Sequence, residues 1–395
     1  MPDAATSPPR RVLLLARHLG LGGATTHLRT LALGLQAAGV EVQIASRPAE
    51  AVADAVGLGP DWFTAAGLVH HPLPLPTPRS LRTLPADAVR TGPALAAVVR
   101  RFRPDLLHVH WRSASLYARW VQARFGIPFV TTLHSQQIPS APWHRGLSFW
   151  GAGVICVSRE AEAFLRRRFD RLPPLVTTIP HGVDPTHFRP PEPAERARAR
   201  AHLDLPQDGP VLLLLGRLNP EKGVDLFLEA LGGLSRRGLH PPAVLAGEGD
   251  AAPFRALARR HGVADQVRFT GFTDARTALW AADVLVLPSR REGLPMAVVE
   301  AMHCGVVPVR TPAGGHHEQI RDGITGFLVP FDDATTLADR LARLLTDAAL
   351  RDRMARAARQ HALAHFTVDA MTRRTLQVYR AALPAVAEPP RPSGR

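Results

Sequence analysis

Two acidic residues, Glu292 and Glu300, carry the clearest chemical signal in the chain. The run Val284–Pro288 reads as a strand, the next residues as a loop, and the stretch from about Leu294 to Cys304 as a helix. Glu292 then lies at the helix mouth and Glu300 nearly two turns inside. At about 1.5 Å of rise per residue the two are separated by about 12 Å. That is too wide for carboxylates sharing a proton, and too wide for the paired acids of a glycosidase. It suits contacts with two different parts of one extended ligand. Two cations, Arg217 and Lys222, follow an earlier apolar run, Val211–Leu215. No Asp-x-Asp occurs in the chain, so the usual carboxylate pair for a bridging Mg²⁺ or Mn²⁺ is missing and no metal is expected.

Histidines and glycines form a second set. His134 ends the run Phe129–His134, at the strand terminus where side chains reach a ligand. His108 and His110 are two apart on a strand and point to the same side. A metal there needs a third ligand, and none is apparent, so the pair reads as strand-end histidines lining a cleft. His316–His317 follow Gly314–Gly315, where backbone contacts to a ligand are expected and a histidine metal cluster is not. Gly20, Gly22 and Gly23 follow the first strand and let the backbone approach a ligand closely. The run G-L-G-G-A-T is no dinucleotide fingerprint, because the third glycine is out of place and Ala45–Ser46–Arg47 ends the second strand without an acid.

The elements that must hold these residues alternate from end to end, as parallel α/β layers do. Strands are expected at Val12–Ala16, Val40–Ala45, Leu106–His110, Phe129–His134, Gly153–Val157 and Val176–Pro180, with helices at Ala24–Ala38, Ala88–Phe102, Ser115–Phe125 and Arg159–Phe169. A polar stretch rich in Pro and Arg interrupts the rhythm and is expected to be a linker, residues 190–208. Strands restart at Val211–Leu215, Ala243–Ala246, Val267–Thr270, Val284–Pro288, Val306–Arg310 and Gly326–Val329. Two sheets, one on each side of the linker, are the economical architecture. An amphipathic helix is expected over Phe366–Ala382, and the Pro/Arg/Ser tail, 386–395, has nothing to bury and is expected to be disordered.

Composition bounds the alternatives. With 395 residues, 46% hydrophobic and 21% charged, the chain has enough apolar material for two cores. The two cysteines, Cys156 and Cys304, are far apart in apolar stretches, so neither a disulfide framework nor a cysteine metal site is expected. No apolar run reaches the roughly 18–20 residues of a membrane span, and Arg17–His18 cut short a faint signal-peptide imitation; a cytoplasmic protein is expected. The net charge of +14 comes mostly from arginine. It reads either as a solvated arginine-rich surface or as a face for anionic lipid, nucleic acid or phosphorylated substrates. Arg79, Arg82, Arg90, Arg100, Arg101 and Arg103 are the candidates for peripheral membrane contact; no nucleic-acid-binding signature accompanies them.

The segment Pro288–Val329 resembles the glutamate-seven-residues-glutamate motif of retaining glycosyltransferases of family 4, which have the GT-B fold. The resemblance continues through G-R-L-N-P-E-K-G (Gly216–Gly223), A-G-E-G-D (Ala246–Asp250), F-T-G-F (Phe269–Phe272) and A-A-D-V-L-V-L-P-S (Ala281–Ser289). It also covers G-G-A-T-T-H-L-R-T-L-A (Gly22–Ala32), T-T-L-H (Thr131–His134) and I-P-H-G-V-D (Ile179–Asp184). It spans nearly the whole chain in the expected order.

The resemblance implies two Rossmann-like domains facing each other across a cleft: an acceptor-side domain (1–189), a donor domain (209–365) and a C-terminal helix (366–385) crossing back. It implies transfer of a sugar from a nucleotide-diphosphate sugar to a hydroxyl acceptor with retention, without metal. Glu300 would bond the ribose hydroxyls; Glu292 would hold the sugar hydroxyls, with the Gly293 and Leu294 amides nearby. Arg217 and Lys222 would neutralise the diphosphate, and Phe272 would lie near the base. Gly22 and Gly23 would face the phosphates and acceptor. His134 would approach the reacting carbon, aiding positioning and charge stabilisation, and a His134→Ala enzyme with near-normal transfer would count against that role. His181 stands where the family usually has asparagine, which leaves that contact unassigned. Acceptor choice would rest on loops in 47–87. A nucleotide-sugar epimerase or a phosphorylase shares the fold but wants a different acid/base set or a cofactor lysine. A basic non-enzymatic membrane or nucleic-acid binder explains only the charge.

Overall fold

The computed structural model describes residues 8–20, 22–47, 60–73, 84–135 and 148–384. Arg79, Arg82, most of the 47–87 loops and the 386–395 tail lie outside them. The chain divides into two compact units. The first takes the residues up to Cys156, then Phe164–Ile179 and the stretch from Met371 on; the second takes Val157–Ala163 and Pro180–Ala370.

In the first unit, β1 (Arg11–His18), β2 (Glu41–Arg47), β3 (Val69–Pro72), β4 (Leu106–Val109), β5 (Phe129–Leu133), β6 (Gly153–Cys156) and β7 (Leu175–Thr178) form a parallel sheet. Its order is β3-β2-β1-β4-β5-β6-β7. The helices are α1 (Gly23–Ala37), α2 (Pro60–Thr64), α3 (Leu84–Phe102), α4 (Ser115–Phe125), the second half of α5 (Arg159–Arg168) and most of α14 (Val368–Ala382). Leu13, Leu15, Leu107 and Val109 pack with Leu95 and Val121 in one core. The edge strand β3 was not expected from the sequence, because Val69–His70–His71–Pro72 is short and polar.

The second unit holds α6 (Pro193–His202), β8 (Leu212–Leu215), α7 (Val224–Ser235), β9 (Ala243–Ala246), α8 (Ala252–Arg260), β10 (Val267–Gly271) and α9 (Ala275–Ala281). It continues with β11 (Val284–Leu287), α10 (Met296–Cys304), β12 (Val307–Arg310), α11 (His316–Gln319), β13 (Phe327–Leu328), α12 (Ala334–Thr346) and α13 (Ala348–His365). Its parallel sheet runs β10-β9-β8-β11-β12-β13. The strands are apolar on both faces because helices cover both: Leu212, Leu214, Val284 and Val286 enter one core, while Leu213, Leu285 and Leu287 enter the other.

The stretch expected as a linker is corrected by the structure: it contains α6, begun by a capping box between Glu192 and Glu195. Its Arg200, 2% exposed, donates to the carbonyls of Ala281, Gln207 and Gly209 and to Asp283 at 3.0 Å. A polar composition concealed a helix whose arginine stitches the entrance to β8. The expected helix from Phe366 starts later, at Val368, because Phe366 still closes α13 and the Thr367 hydroxyl accepts the Ala370 N–H at 3.2 Å.

Candidate active site

Strand order reverses direction between β8 and β11, and ligands of such sheets bind beyond the carboxyl ends of strands at that point. The loops leaving these two strands carry the residues singled out from the sequence. After β8, Asn219 caps a short turn by accepting the Lys222 N–H at 3.0 Å. Gly223, at φ +69°, closes the turn against the end of β11; a Cβ there would lie 2.1 Å from the Pro288 carbonyl oxygen. The Lys222 stem passes over Gly216, and its ammonium donates to Glu292 Oε1 at 2.6 Å. Lys222 and Glu292, read from the sequence as separate contacts, thus form one pair whose side chains are 20% and 9% exposed.

Other bonds sew the two loops together. The Arg290 N–H donates to the Glu221 carbonyl at 2.8 Å, and the Arg290 guanidinium grips both carboxylate oxygens of Asp225 at 2.9 and 2.7 Å. Arg290 is held above its ordinary pKa by Asp225. No local sequence signal pairs residues this far apart. Arg217 is exposed on the same loop as Lys222.

Glu300 lies in α10, a helix that is buried almost throughout. It is 6% exposed, and no described residue donates a hydrogen bond to it. Burial pushes its carboxyl up to about 7, with the charge of Asp274 adding to the rise. A carboxyl kept without a protein partner is suited to a ligand's hydroxyls. Phe272, 39% exposed, follows the carboxyl end of β10. Leu294 is buried, and Gly293 is partly buried.

Gly314 and Gly315 press against the loop of Glu292. A Cβ on Gly314 would lie 2.4 Å from the Glu292 carbonyl oxygen, and one on Gly315, at φ +79°, would lie 2.6 Å from Leu294 Cδ1. No histidine metal cluster is expected after these glycines, and a carboxylate from another helix stands beside the histidine pair. Glu160 joins His316 and His317, with ligand atoms all within 4.8 Å of one another. Glu160 was out of reach of sequence reasoning. Its oxygens already serve the loop, one facing His316 Nδ1 at 2.9 Å and the other accepting the Gly315 N–H at 3.2 Å.

In the first unit, the backbone turns after β1 through Gly20 and Gly22, with the Gly20 N–H bonded to Thr25 Oγ1 at 3.2 Å and Gly22 at φ +132°. Gly23 opens α1, which no side chain caps. His27 on α1 packs edge-on to His134, ring centroids 5.0 Å apart. His110 Nδ1 and His134 Nε2 are 3.2 Å apart. Burial pushes His134 down to about 4, so the ring is neutral near pH 7 and has an N–H rather than a full charge to offer.

The reading of His108 as a cleft-lining residue is corrected. It is fully buried, bonded through Nδ1 to Tyr379 Oη and through Nε2 to Thr132 Oγ1, both at 2.7 Å. His110 is also fully buried. In the second unit His181 is buried too, beside Val183, whose N–H donates to the Phe366 carbonyl at 2.9 Å.

Comparison with known proteins adds an independent line. Residues 195–361 match the family model described as Glycosyl transferases group 1, and residues 21–187 match Glycosyltransferase Family 4. The chain is 32% identical to a D-inositol 3-phosphate glycosyltransferase of Streptomyces griseus subsp. griseus, over 96% of this chain and 91% of that one. It is 30% identical to the enzyme of the same name from Saccharomonospora viridis, over 95% of each. Among solved structures it is similar in fold to sucrose-phosphate synthase from Thermosynechococcus elongatus, with TM-score 0.78, 23% identity and coverage of 94% of this chain and 98% of that one. It is likewise similar to Anabaena HepE in complex with UDP-glucose, with TM-score 0.77, 20% identity and coverage of 93% and 98%.

Proposed function

The chain belongs to the group 1 glycosyltransferases of family 4, with two Rossmann-like parallel-sheet units and transfer of sugar from a nucleotide sugar to a hydroxyl acceptor, and from that premise we propose a retaining, metal-independent enzyme that uses a UDP-sugar and a polyol-phosphate acceptor. The Lys222–Glu292 pair at the strand-order switch carries the reading. In the free enzyme each side chain neutralises the other. An arriving diphosphate takes the ammonium, and Glu292 is released to accept hydrogen bonds from the sugar hydroxyls. Arg217, exposed beside this loop, adds the second cation. Fixed positive charge then meets the negative charge that grows on the departing nucleoside diphosphate. Glu300 accepts from the ribose hydroxyls, and Gly293 and Leu294 offer amides to the sugar. Retention follows if the leaving phosphate oxygen takes the acceptor's proton while the new bond forms on the same face. The acceptor class is supported by the activity named for the relatives.

The test is turnover of UDP-, GDP- and ADP-glucose with and without D-inositol 3-phosphate. Release of UDP should depend on the acceptor and persist in EDTA. Lys222→Ala and Glu300→Gln should each lower kcat/KM by about 100-fold or more. Absence of nucleotide-sugar binding, or full loss of rate in EDTA with recovery on Mg²⁺, would sink the proposal. Transfer at a near-normal rate by His134→Ala would remove that histidine from the mechanism.

A further inference from the structure

Arg310, the last residue of β12, is fully buried, and none of the roles above employs it. Its guanidinium donates from Nε to the Thr311 carbonyl at 3.1 Å and from Nη2 to the carbonyls of Ala313 at 2.7 Å and Gly314 at 2.9 Å. Nη1 donates to Gln319 Oε1, and Gln319 Nε2 donates onward to the Pro295 carbonyl at 2.9 Å. Thr311 Oγ1 completes the circuit by donating to the Ser289 carbonyl. One cation thereby shapes the 311–315 loop and, through Gln319 and Thr311, holds it to both ends of the segment bearing Glu292, Gly293 and Leu294.

The contact surface between the two loops leaves no slack. Gly314 and Gly315 fit only because they lack a Cβ, so a shift of the 311–315 loop is transmitted directly to the backbone of Glu292–Leu294. The cation is also unusual in having no carboxylate in hydrogen-bond contact among the described residues. Burial pushes it down to about 10, while Glu292 is foremost among the acids holding it up, so it stays charged at neutral pH.

We propose that Arg310 is a positioning residue for the sugar half of the donor site, setting the backbone of Glu292–Leu294 through the 311–315 loop. A guanidinium fits this task because its planar fork can serve several carbonyls at once, which an ammonium on a flexible stem cannot. The inference rests on the donor-site reading above. It separates the two halves of the donor: the nucleotide, held from α10 by Glu300, should be insensitive to Arg310, and sugar transfer should not.

The experiment compares wild type, Arg310→Lys and Gln319→Leu. Arg310→Lys keeps a basic side chain but loses the fork. UDP affinity by calorimetry should stay within about twofold of wild type, whereas kcat with UDP-glucose should fall by on the order of 100-fold, as expected for a small misplacement of contacting groups. Gln319→Leu should show part of the same loss. Hydrogen exchange, which needs no turnover, should rise in Arg310→Lys at both 289–294 and 311–316 and nowhere else in the second unit.

Unchanged kcat and exchange would overturn the proposal. So would a proportional loss of UDP affinity and kcat, which marks a merely structural role. If wild type neither binds UDP nor turns over any nucleotide sugar, the donor reading fails and this inference with it. Wild-type turnover with an indifferent Arg310→Lys overturns this inference alone.

Discussion

Glu300 is a carboxyl group in a helix that is otherwise almost wholly apolar, and its titration follows from that placement. With an ordinary value of 4.5 and a folded value of about 7, the folded state keeps its proton in a range where the unfolded chain has lost it. Stability therefore falls as pH rises from 4.5 through 7, by on the order of 3 kcal/mol in all. Glu300→Gln should abolish that slope, so that urea denaturation finds the variant more stable than wild type at pH 8 but not at pH 4.5. A variant that tracks wild type at both pH values would refute the assignment. Ribose hydroxyls want the carboxylate as acceptor, so wild-type UDP affinity should weaken below about pH 7, at a pH where the variant shows no inflection. Both glutamates were legible in the sequence because their spacing and neighbouring glycines form a local motif. The Lys222–Glu292 pair, the Arg310 hub and Glu160 were not, since each partnership joins elements that only the sheet order brings together.

Among the elements, most strands of the two sheets could be read from sequence, since unbroken apolar runs such as Leu212–Leu215 and Val284–Leu287 announce strands covered on both faces. The exceptions have physical reasons. The strand β3 is short and carries His70 and His71, bonded to Ser46 and Gln43 at 2.8 and 2.7 Å, so side-chain bonds rather than an apolar pattern hold it at the edge. The helix α6 hides in arginines, one of which is the buried anchor of the unit. Removing that anchor leaves Asp283 with one fewer cation and several carbonyls without donors; Arg196, at 2.7 Å, remains. Arg200→Met should cost about 3–5 kcal/mol, read as a lower urea midpoint of the second unit. A change below about 1 kcal/mol would show that α6 contributes little to that unit's stability.

For the molecule as a whole, no helix among the described residues is long and apolar enough to cross a membrane. The chain passes between its two units more than once, and most of α14 belongs to the first of them. Tyr379, fully buried, is the bond partner of His108 on the central strand β4. Ending the chain at Ala370 should therefore open the first unit while sparing the second: calorimetry should lose the lower or broader transition, and UDP should still raise the remaining one. An intact two-unit melt after truncation would contradict this. The Tyr379–His108 bond also orders events during synthesis. The strand β4 leaves the ribosome well before Tyr379 does, so its core must wait for that later segment before it can close, and a chain stalled short of α14 would expose that core to chaperones and proteases.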